Sequence, residues 1–575
     1  MVVRVKRFEA WSRNDGSPCV RLHVVACAAL LTALALPAEW AMAQQSGRSG
    51  SQGTEPGQIE KRIEVPPPPP DVVIPTVPPP PAAKEVMKFV LGAVQITGVT
   101  IYRPAELSSY YEAYLGREVT FADVEKILEA ITGKYREDGY VLSRAVAPAQ
   151  RIELGILRVR VIEGFVARVR FKGADPGRMS LLQAYADKIT AVRPTTLSVL
   201  ERYLLLMGDL PGVRVTPRLT PVDAETGAYE LILSLTHKRQ LGFLNLSNRG
   251  TRSAGPLQAL AGANLNSLLG MLDQTRLIVF GVPDNPSELL YFSLAHEQQV
   301  GTEGTKVSLA ASRSDTETGN VPQGTKEDGV GTRFTLALSH PLVRSPDQTL
   351  RLTVKFDIVN SKKTAISGKT EDRLRVVRLG GRYELNDALA GTNKLALELS
   401  QGLDILNASP EGATNVSRLN GRGDFTKVTA EASRRQGVGK SWALQFAAIA
   451  QHSNYTLLTP EQFTLGGNRF GRAYDPAEIS GDRGAAASVE LRYEPAFKLE
   501  LMKLDRVYAY YDAGAVWGAG FTRFSLASAG IGLHVTVANT LIARIEVAKP
   551  LTRPVADEID DGDDLRFFFN LTAVF

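Results

Sequence analysis

The chain has 575 residues, which is too long for one compact core and predicts roughly two to four domains. Hydrophobic residues make up 44% of it, and downstream of the N-terminus no stretch approaches the ~20 consecutive apolar residues that a spanning helix needs. The net charge is +5, and the basic residues are scattered along the chain rather than clustered, so the sequence does not indicate nucleic-acid binding. These observations leave a soluble protein or a β-barrel, whose apolar residues occupy every second position.

Residues 1–43 have the features of a secretory signal peptide. Five basic residues precede an apolar stretch at 23–37, and Ala41–Ala43 then matches an A-x-A cleavage site. A membrane-anchoring helix is the alternative, but the apolar stretch is short and ends in the cleavage pattern. The mature chain is therefore expected to begin at Gln44. Both cysteines of the chain lie within the signal peptide, so the mature protein is expected to contain none.

Residues 44–87 are predicted to form a linker. Positions 44–62 are rich in Gly, Ser and Gln and lack hydrophobic periodicity, and positions 63–86 carry a proline tract. Such a tract adopts extended polyproline II structure and acts as a semi-rigid spacer.

Residues 88–164 and 165–238 share one predicted order of elements, which is strand, helix, helix, strand and strand. The predicted elements of the first segment are 89–100, 104–115, 121–138, 140–147 and 154–164. Those of the second segment are 166–173, 178–191, 195–207, 211–221 and 228–238. Thr120 is a predicted N-cap for the second helix. The recurrence predicts two copies of one α+β domain, and two unrelated α+β fragments are the alternative.

From residue 239 to Phe575 the helical signals fade and alternation of period two takes over. Leu350, Leu352, Val354 and Phe356, for example, alternate with polar or charged residues. About 16 strand-like segments of roughly 8–12 residues follow one another, the length that crosses a bilayer at a tilt. A soluble sandwich also gives alternation, but the pattern persists for longer than an ordinary sandwich requires. The sequence therefore predicts a membrane β-barrel with a polar, water-filled lumen.

Two segments near the C-terminus combine glycines with charges. Residues 465–484 are glycine-rich and contain Arg472 and Tyr474, and strand-like residues 507–517 place Asp512 on one face with two tyrosines and Gly514. An aspartate in a confined lumen needs a cation partner, since an unpaired buried charge is costly. Without further context, however, the two charges are more simply read as unrelated solvated side chains.

These segments resemble the transporters of two-partner secretion, the FhaC/ShlB/HecB type within the outer-membrane insertase superfamily. In that family a loop folds back into the barrel and carries a V-R-G-F/Y tetrad, whose arginine contacts the aspartate of an F-x-D-x-G strand motif. Here the tetrad reads Gly471-Arg472-Ala473-Tyr474 and the strand motif reads Tyr510-Tyr511-Asp512-Ala513-Gly514. The arginine, the aromatic residue, the aspartate and the last glycine match. The first and third tetrad positions and the first strand-motif position depart from the pattern.

The resemblance covers nearly the whole mature chain and implies a transmembrane β-barrel of about 16 antiparallel strands, 239–575, preceded by two periplasmic α+β domains of the polypeptide-transport-associated (POTRA) type, 88–164 and 165–238. It also implies a re-entrant loop at 465–484. The family usually carries an N-terminal helix that plugs the barrel. Residues 44–62 have room for at most about two helical turns, which does not favour such a plug here.

The resemblance implies that an unfolded partner reaches the periplasm, binds the POTRA domains as an added strand and leaves through the barrel. The predicted edges are 166–173 and 228–237, and the predicted contacts are listed here: Val166, Val169, Phe171, Leu231 and Leu233. The predicted latch consists of Arg472 and Asp512, with Gly471, Tyr474 and Gly514 around it.

The implied partners are a large secreted passenger with an N-terminal secretion domain, outer-membrane lipid and lipopolysaccharide, and the barrel assembly machinery that inserts the chain. No metal is expected, because the histidines show no ligand spacing. No cofactor or nucleic acid is expected either. No enzymatic activity is expected, because no nucleophile motif is present. An outer-membrane insertase is the main alternative, although two repeats rather than a longer array argue against it. A passive diffusion porin is a further alternative.

Overall fold

The computed structural model describes residues 55–63 and 88–575, except for positions 174, 176, 320–325, 496, 498, 520 and 557–561. The predicted signal peptide lies outside the described residues, as does the proline tract. The first described element is helix α1, Pro56–Arg62, which lies inside the barrel described below.

The first α+β unit contains five short strands and one long helix. Its elements are β1 Lys88–Val90, β2 Ala93–Thr97, α2 Pro104–Leu107, β3 Glu118–Thr120, α3 Phe121–Glu137, β4 Arg144–Val146 and β5 Ile156–Ile162. The sheet order is β2-β5-β4, with β2 parallel to β5, and β1 pairs separately with β3. The predicted N-cap is confirmed, because the Thr120 hydroxyl accepts a bond from the backbone N–H of Asp123.

The predicted helix at 104–115 is wrong beyond its first turn. Only Pro104–Leu107 is α-helical, and two 3₁₀ turns, Ser108–Tyr110 and Glu112–Tyr114, replace the rest. Three tyrosines of this segment pack against the core of the unit, so tertiary packing overrides the local helical pattern. The predicted strand at 140–147 is likewise shorter, since only Arg144–Val146 is paired.

The second α+β unit repeats the parallel-strand arrangement. Its elements are β6 Phe165–Gly173, α4 Met179–Thr190, α5 Leu197–Gly208, β7 Val213–Asp223 and β8 Ala228–His237. The sheet order is β6-β8-β7, with β6 parallel to β8. Strand β8 is therefore the central strand, and it cannot be a free edge. The predicted edge at 228–237 is wrong for this reason, whereas β6 has a free edge.

Sixteen antiparallel strands form the closed barrel, as predicted. They are β9 Gln240–Ser247, β10 Gln258–Asn266, β11 Gln274–Gly281, β12 Leu289–Val300, β13 Thr305–Glu317, β14 Glu327–Arg344, β15 Gln348–Ala365, β16 Gly368–Asn386, β17 Gly391–Gly402, β18 Thr426–Val438, β19 Trp442–Ser453, β22 Arg483–Tyr493, β23 Met502–Gly518, β24 Phe521–Val537, β25 Leu541–Pro550 and β26 Arg566–Val574. The last strand pairs with β9 and closes the ring. Two short strands, β20 Phe463–Leu465 and β21 Ile479–Gly481, pair only with each other.

The outer and inner faces of the barrel differ in polarity. Exposed leucines, valines and aromatic residues cover the outside, including Leu336, Leu397 and Tyr511. The inward positions of the same strands include buried charged residues such as Asp357, Arg378 and Asp512. This alternation matches a barrel whose outer face contacts lipid and whose inner face contacts polar groups. No helix among the described residues is long and apolar enough to cross a membrane.

The second α+β unit is joined to one rim of the barrel by specific side chains. Arg344 at the end of β14 donates to both carboxylate oxygens of Asp209, at 2.8 and 2.9 Å. Glu303, in the turn between β12 and β13, accepts a bond from the Tyr203 hydroxyl at 3.0 Å. This rim carries the α+β units, and the long segments 403–425 and 454–482 emerge at the opposite rim.

Candidate functional site

The segment between β19 and β22 folds back into the barrel. Strands β20 and β21 make it a hairpin, and its tip, residues 466–478, lies against the inner wall. Phe463, Leu465 and Tyr474 of this re-entrant segment (454–482) form a buried cluster with Val516 and Leu526 of the wall. The segment is therefore packed into the lumen rather than exposed to solvent above the barrel.

Arg472 at the tip is clamped by two acidic side chains of the wall. Its Nε and Nη2 atoms donate to the two carboxylate oxygens of Asp512 on β23, at 2.9 and 3.0 Å. Its Nη1 atom donates to Glu490 on β22 at 2.6 Å, and its guanidinium lies 3.3 Å from the centroid of the Tyr510 ring. Burial disfavours the charge on Arg472, but the two carboxylates outweigh burial and raise the pKa of Arg472 above its usual value.

The other predicted residues of the motif surround this pair. Gly471 has φ +74°, a left-handed conformation that favours glycine, and a Cβ there would lie 2.5 Å from Leu526. A Cβ on Gly514 would lie 2.6 Å from Leu465, so this glycine admits the hairpin close to β23. The Tyr474 hydroxyl is 3.1 Å from the carbonyl oxygen of Ala527. The structure thus brings all five predicted latch residues to one place.

Further residues hold the tip, and sequence reasoning did not assign them. Arg249, between β9 and β10, donates to the Arg472 carbonyl at 2.9 Å and pairs with Glu546 of β25. Arg566 of β26 donates to the carbonyl of Ala473 at 2.8 Å and to Asp475 at 2.7 Å. Charges at inward strand positions were the available signal, but inward positions carry many charges in any wide barrel.

A second cluster holds the stem of the re-entrant segment. Glu461 is 1% exposed and accepts from Arg378 of β16 and from Lys427 of β18, each at 2.6 Å. Arg378 also donates to Asp357 of β15 at 2.7 Å. Burial alone would raise the pKa of Glu461, but the two cations outweigh burial and lower it below its usual range. The segment is therefore anchored at two separate parts of the wall.

Helix α1 fills part of the lumen beside the segment. Ile59 is fully buried, and the Glu60 carboxylate accepts bonds from Tyr291, Ser312 and Arg333, at 3.2, 3.0 and 3.3 Å. Gln58 accepts a bond from Thr464 of β20 at 3.1 Å. The prediction that residues 44–62 do not form a plug is therefore wrong. The structure places this helix in the lumen, where polar contacts to the wall and to the hairpin hold it.

The five predicted passenger contacts in the second α+β unit differ in how far they are buried. Val166, Leu231 and Leu233 are fully buried in the core of the unit, so they are not exposed to a partner. Val169 and Phe171 are half-buried on β6, the strand with the free edge. Alternating positions of a strand point to opposite faces, and the sequence did not identify which face packs against the helices.

The described residues contain no group of three or more His, Cys, Asp or Glu side chains that could hold a metal ion.

The fold and the clamped segment define an outer-membrane transport barrel with periplasmic POTRA units. A family model described as haemolysin secretion/activation protein ShlB/FhaC/HecB matches residues 231–535, and a ShlB-type POTRA model matches 89–164. The chain belongs to this haemolysin secretion/activation family, and it is an outer-membrane transporter of the two-partner secretion class.

Individual relatives agree with this family. The heme/hemopexin transporter protein HuxB of Haemophilus influenzae is 23% identical over 86% of this chain and 88% of the relative. The structure of CdiB from Escherichia coli superposes with a TM-score of 0.69 at 21% identity, covering 87% of this chain and 93% of that one. The fold is also shared with BamA from Haemophilus ducreyi, in a structure that lacks POTRA domains 1–3, with a TM-score of 0.50 at 14% identity over 85% of this chain and 100% of that one. Transporters of this class pair with large secreted passengers.

Proposed function

We propose that this chain captures an extended segment of its passenger at the free edge of β6 and exports it through a lumen that the re-entrant segment and α1 close at rest. The observation that carries the proposal is the clamp of Arg472 by Asp512 and Glu490. A loop that only decorated the barrel would not need a buried charge cluster in the lumen.

Strand β6 is the better of the two free edges of the second unit. The other edge strand, β7, contains Pro217 and Pro221, which have no backbone N–H to donate to an added strand. Strand β6 contains no proline, and its half-buried Val169 and Phe171 alternate with exposed Arg170. An extended passenger segment would pair with the β6 backbone, and its side chains would contact this alternating surface.

The Arg472 clamp acts as a latch in this proposal. When the passenger enters, the tip moves away from β22 and β23, and Asp512 and Glu490 become free of Arg472. Deleting one partner of such a buried pair leaves the other charge buried without compensation, at a cost of about 3–5 kcal/mol. Folding of the passenger outside the cell supplies direction, because the periplasm has no ATP.

The proposal also covers the insertion of the chain itself. Strand β26 ends at Val574, and the next residue, Phe575, is 72% exposed and pairs through its backbone with Gly242 at the seam of the barrel. We infer that the barrel assembly machinery binds this terminal strand before the seam closes. Lipid and lipopolysaccharide surround the apolar outer face after insertion.

The test is export of the passenger by an Arg472→Ala variant, measured in culture medium and periplasm. Arg469→Ala is the matched control, because Arg469 lies on the same tip but is half exposed in its pair with Glu431. We expect Arg472→Ala to reduce export while the amount of folded barrel stays unchanged, and Arg469→Ala to export normally. Equal loss of export and of folded barrel would make the pair merely structural. Normal export with failure of other barrels to assemble would favour the insertase alternative.

A further inference from the structure

A cavity of about 360 Å³ lies on the outer face of the barrel. Its outward-facing lining residues are Val428, Ala430, Ala450, His452, Arg483 and Trp517. The cavity is formed by strands β18, β19, β22 and β23. It lies near the rim opposite the α+β units, because two of its lining residues, Arg483 and Trp517, are paired neighbours at the ends of β22 and β23. The cavity therefore opens toward the outer leaflet of the membrane.

Ala430 and Ala450 line this cavity, and small side chains continue beside and below them on the outer face. Ala430, Ala450, Ala485 and Ala515 are direct cross-strand neighbours in one row. Ala432, Ala448, Ala487 and Ala513 form the next row toward the membrane centre. A third row is bulky, with Phe446, Val489 and Tyr511 side by side. Small side chains between larger ones leave a shallow depression on this face, and close van der Waals contact is what an apolar chain gains from such a surface.

Two exposed arginines lie at the upper rim of this depression. The Nε atom of Arg483 donates to the Ser453 carbonyl at 2.7 Å, which fixes its guanidinium beside the cavity. The guanidinium of Arg523 lies 6.0 Å from the centroid of the Trp517 ring. Within the part of the chain that the structure describes, Arg483 bonds to Ser453 and Asn454 and Arg523 contacts the Trp517 ring, and neither arginine has a carboxylate partner. By contrast, Arg313 on β13 is paired with Asp315 at 2.6 Å.

We propose that this groove, formed by the two alanine rows and the two arginines, binds a phosphorylated and multiply acylated glycolipid of the outer leaflet, the lipid A part of lipopolysaccharide. Guanidinium groups bind phosphate through paired charge-assisted hydrogen bonds, and two arginines without acidic partners match the charge of such a headgroup. The groove is four strands wide, which suits several acyl chains on one molecule. A glycerophospholipid offers a single phosphate and two chains.

The site lies back to back with the latch. The inward positions of the same four strands include Lys427, which holds Glu461, and Glu490 and Asp512, which hold Arg472. A lipid bound outside would pack against the wall that carries these groups. We therefore expect lipid A to raise the thermal stability of the purified barrel, since a ligand that binds only the folded state stabilises it by mass action.

The experiment measures binding of purified lipid A to the full-length protein in detergent, by native mass spectrometry and thermal unfolding. Dephosphorylated lipid A and phosphatidylglycerol are the comparison lipids. The double variant Arg483→Ala/Arg523→Ala should bind lipid A about tenfold more weakly, as expected for loss of charge-assisted bonds. Arg313→Ala is the matched control, because it removes an arginine that already has an acidic partner, and it should bind normally.

A second variant tests the apolar part of the groove. Ala450→Leu/Ala485→Leu fills the upper row without altering charge, and it should weaken lipid A binding while the barrel stays folded. The proposal is overturned if wild-type protein binds phosphatidylglycerol or dephosphorylated lipid A as tightly as lipid A. It is also overturned if both the arginine and the alanine variants bind lipid A like the wild type.

Discussion

Glu461 and Arg378 form a buried two-point ion pair, at 2.6 and 3.2 Å, that joins the stem of the re-entrant segment to β16. Arg472 joins the tip of the same segment to β22 and β23. The segment therefore spans the lumen between two charged anchors on different parts of the wall. Because each anchor is buried, removal of one partner leaves an uncompensated charge and costs far more than removal of a partner from a solvent-exposed ion pair.

The stem anchor is predicted to control how often the pore opens. Glu461→Ala leaves Arg378 and Lys427 without their shared carboxylate, at a cost of about 3–5 kcal/mol to the closed arrangement. Conductance in planar bilayers should therefore show more frequent open events. Glu411→Ala is the control, since Glu411 is 71% exposed in its pair with Arg422 and should have no effect. Identical traces for wild type and Glu461→Ala would contradict a role for this anchor.

Helix α1 is predicted to restrict the pore through Glu60. Glu60→Lys replaces the acceptor of three wall groups with a cation close to Arg333, so like-charge repulsion should expel the helix. We expect a higher mean conductance and faster entry of large antibiotics into cells. Glu411→Lys is the matched control, because it makes the same charge reversal at a carboxylate that is 71% exposed and lies outside α1, and it should leave both readouts unchanged. Unchanged conductance in Glu60→Lys would show that α1 does not restrict the pore.

Passenger capture is predicted to occur at β6 rather than β7. The mature chain is expected to have no cysteine, so single cysteines can be introduced at exposed Lys172 on β6 and exposed Arg218 on β7. A passenger with one cysteine in its N-terminal region should form a disulfide with Lys172→Cys and not with Arg218→Cys. The reverse pattern, or equal yields at both positions, would be inconsistent with capture at β6.

The sequence predicted the architecture well because period-two alternation and long helices are local signals. The barrel, its sixteen strands and the cap at Thr120 all follow from such patterns. The same local reasoning misplaced a sheet edge. The order β6-β8-β7 puts the last strand of the unit in the centre, and chain order alone does not reveal this.

The candidate site was only partly accessible from sequence. Arg472 and Asp512 are 40 residues apart and were paired through the family resemblance. Glu461, Arg378 and Arg249 belong to no motif, and only the folded barrel brings them to the re-entrant segment. Helix α1 was missed as a plug because its seven residues gain stability from contacts with the wall rather than from helical length.

The most direct test of export through the barrel asks whether the passenger contacts the inside of the wall. Ala447 packs against the re-entrant segment on the inside of β19, and its neighbour Ala448 lies on the outer face. Each is replaced by cysteine in turn, and a passenger with one cysteine is stalled during export by a tightly folded C-terminal fusion. Export through the lumen predicts a disulfide with Ala447→Cys and none with Ala448→Cys. No disulfide at either position, or equal yields at both, would contradict export through the barrel.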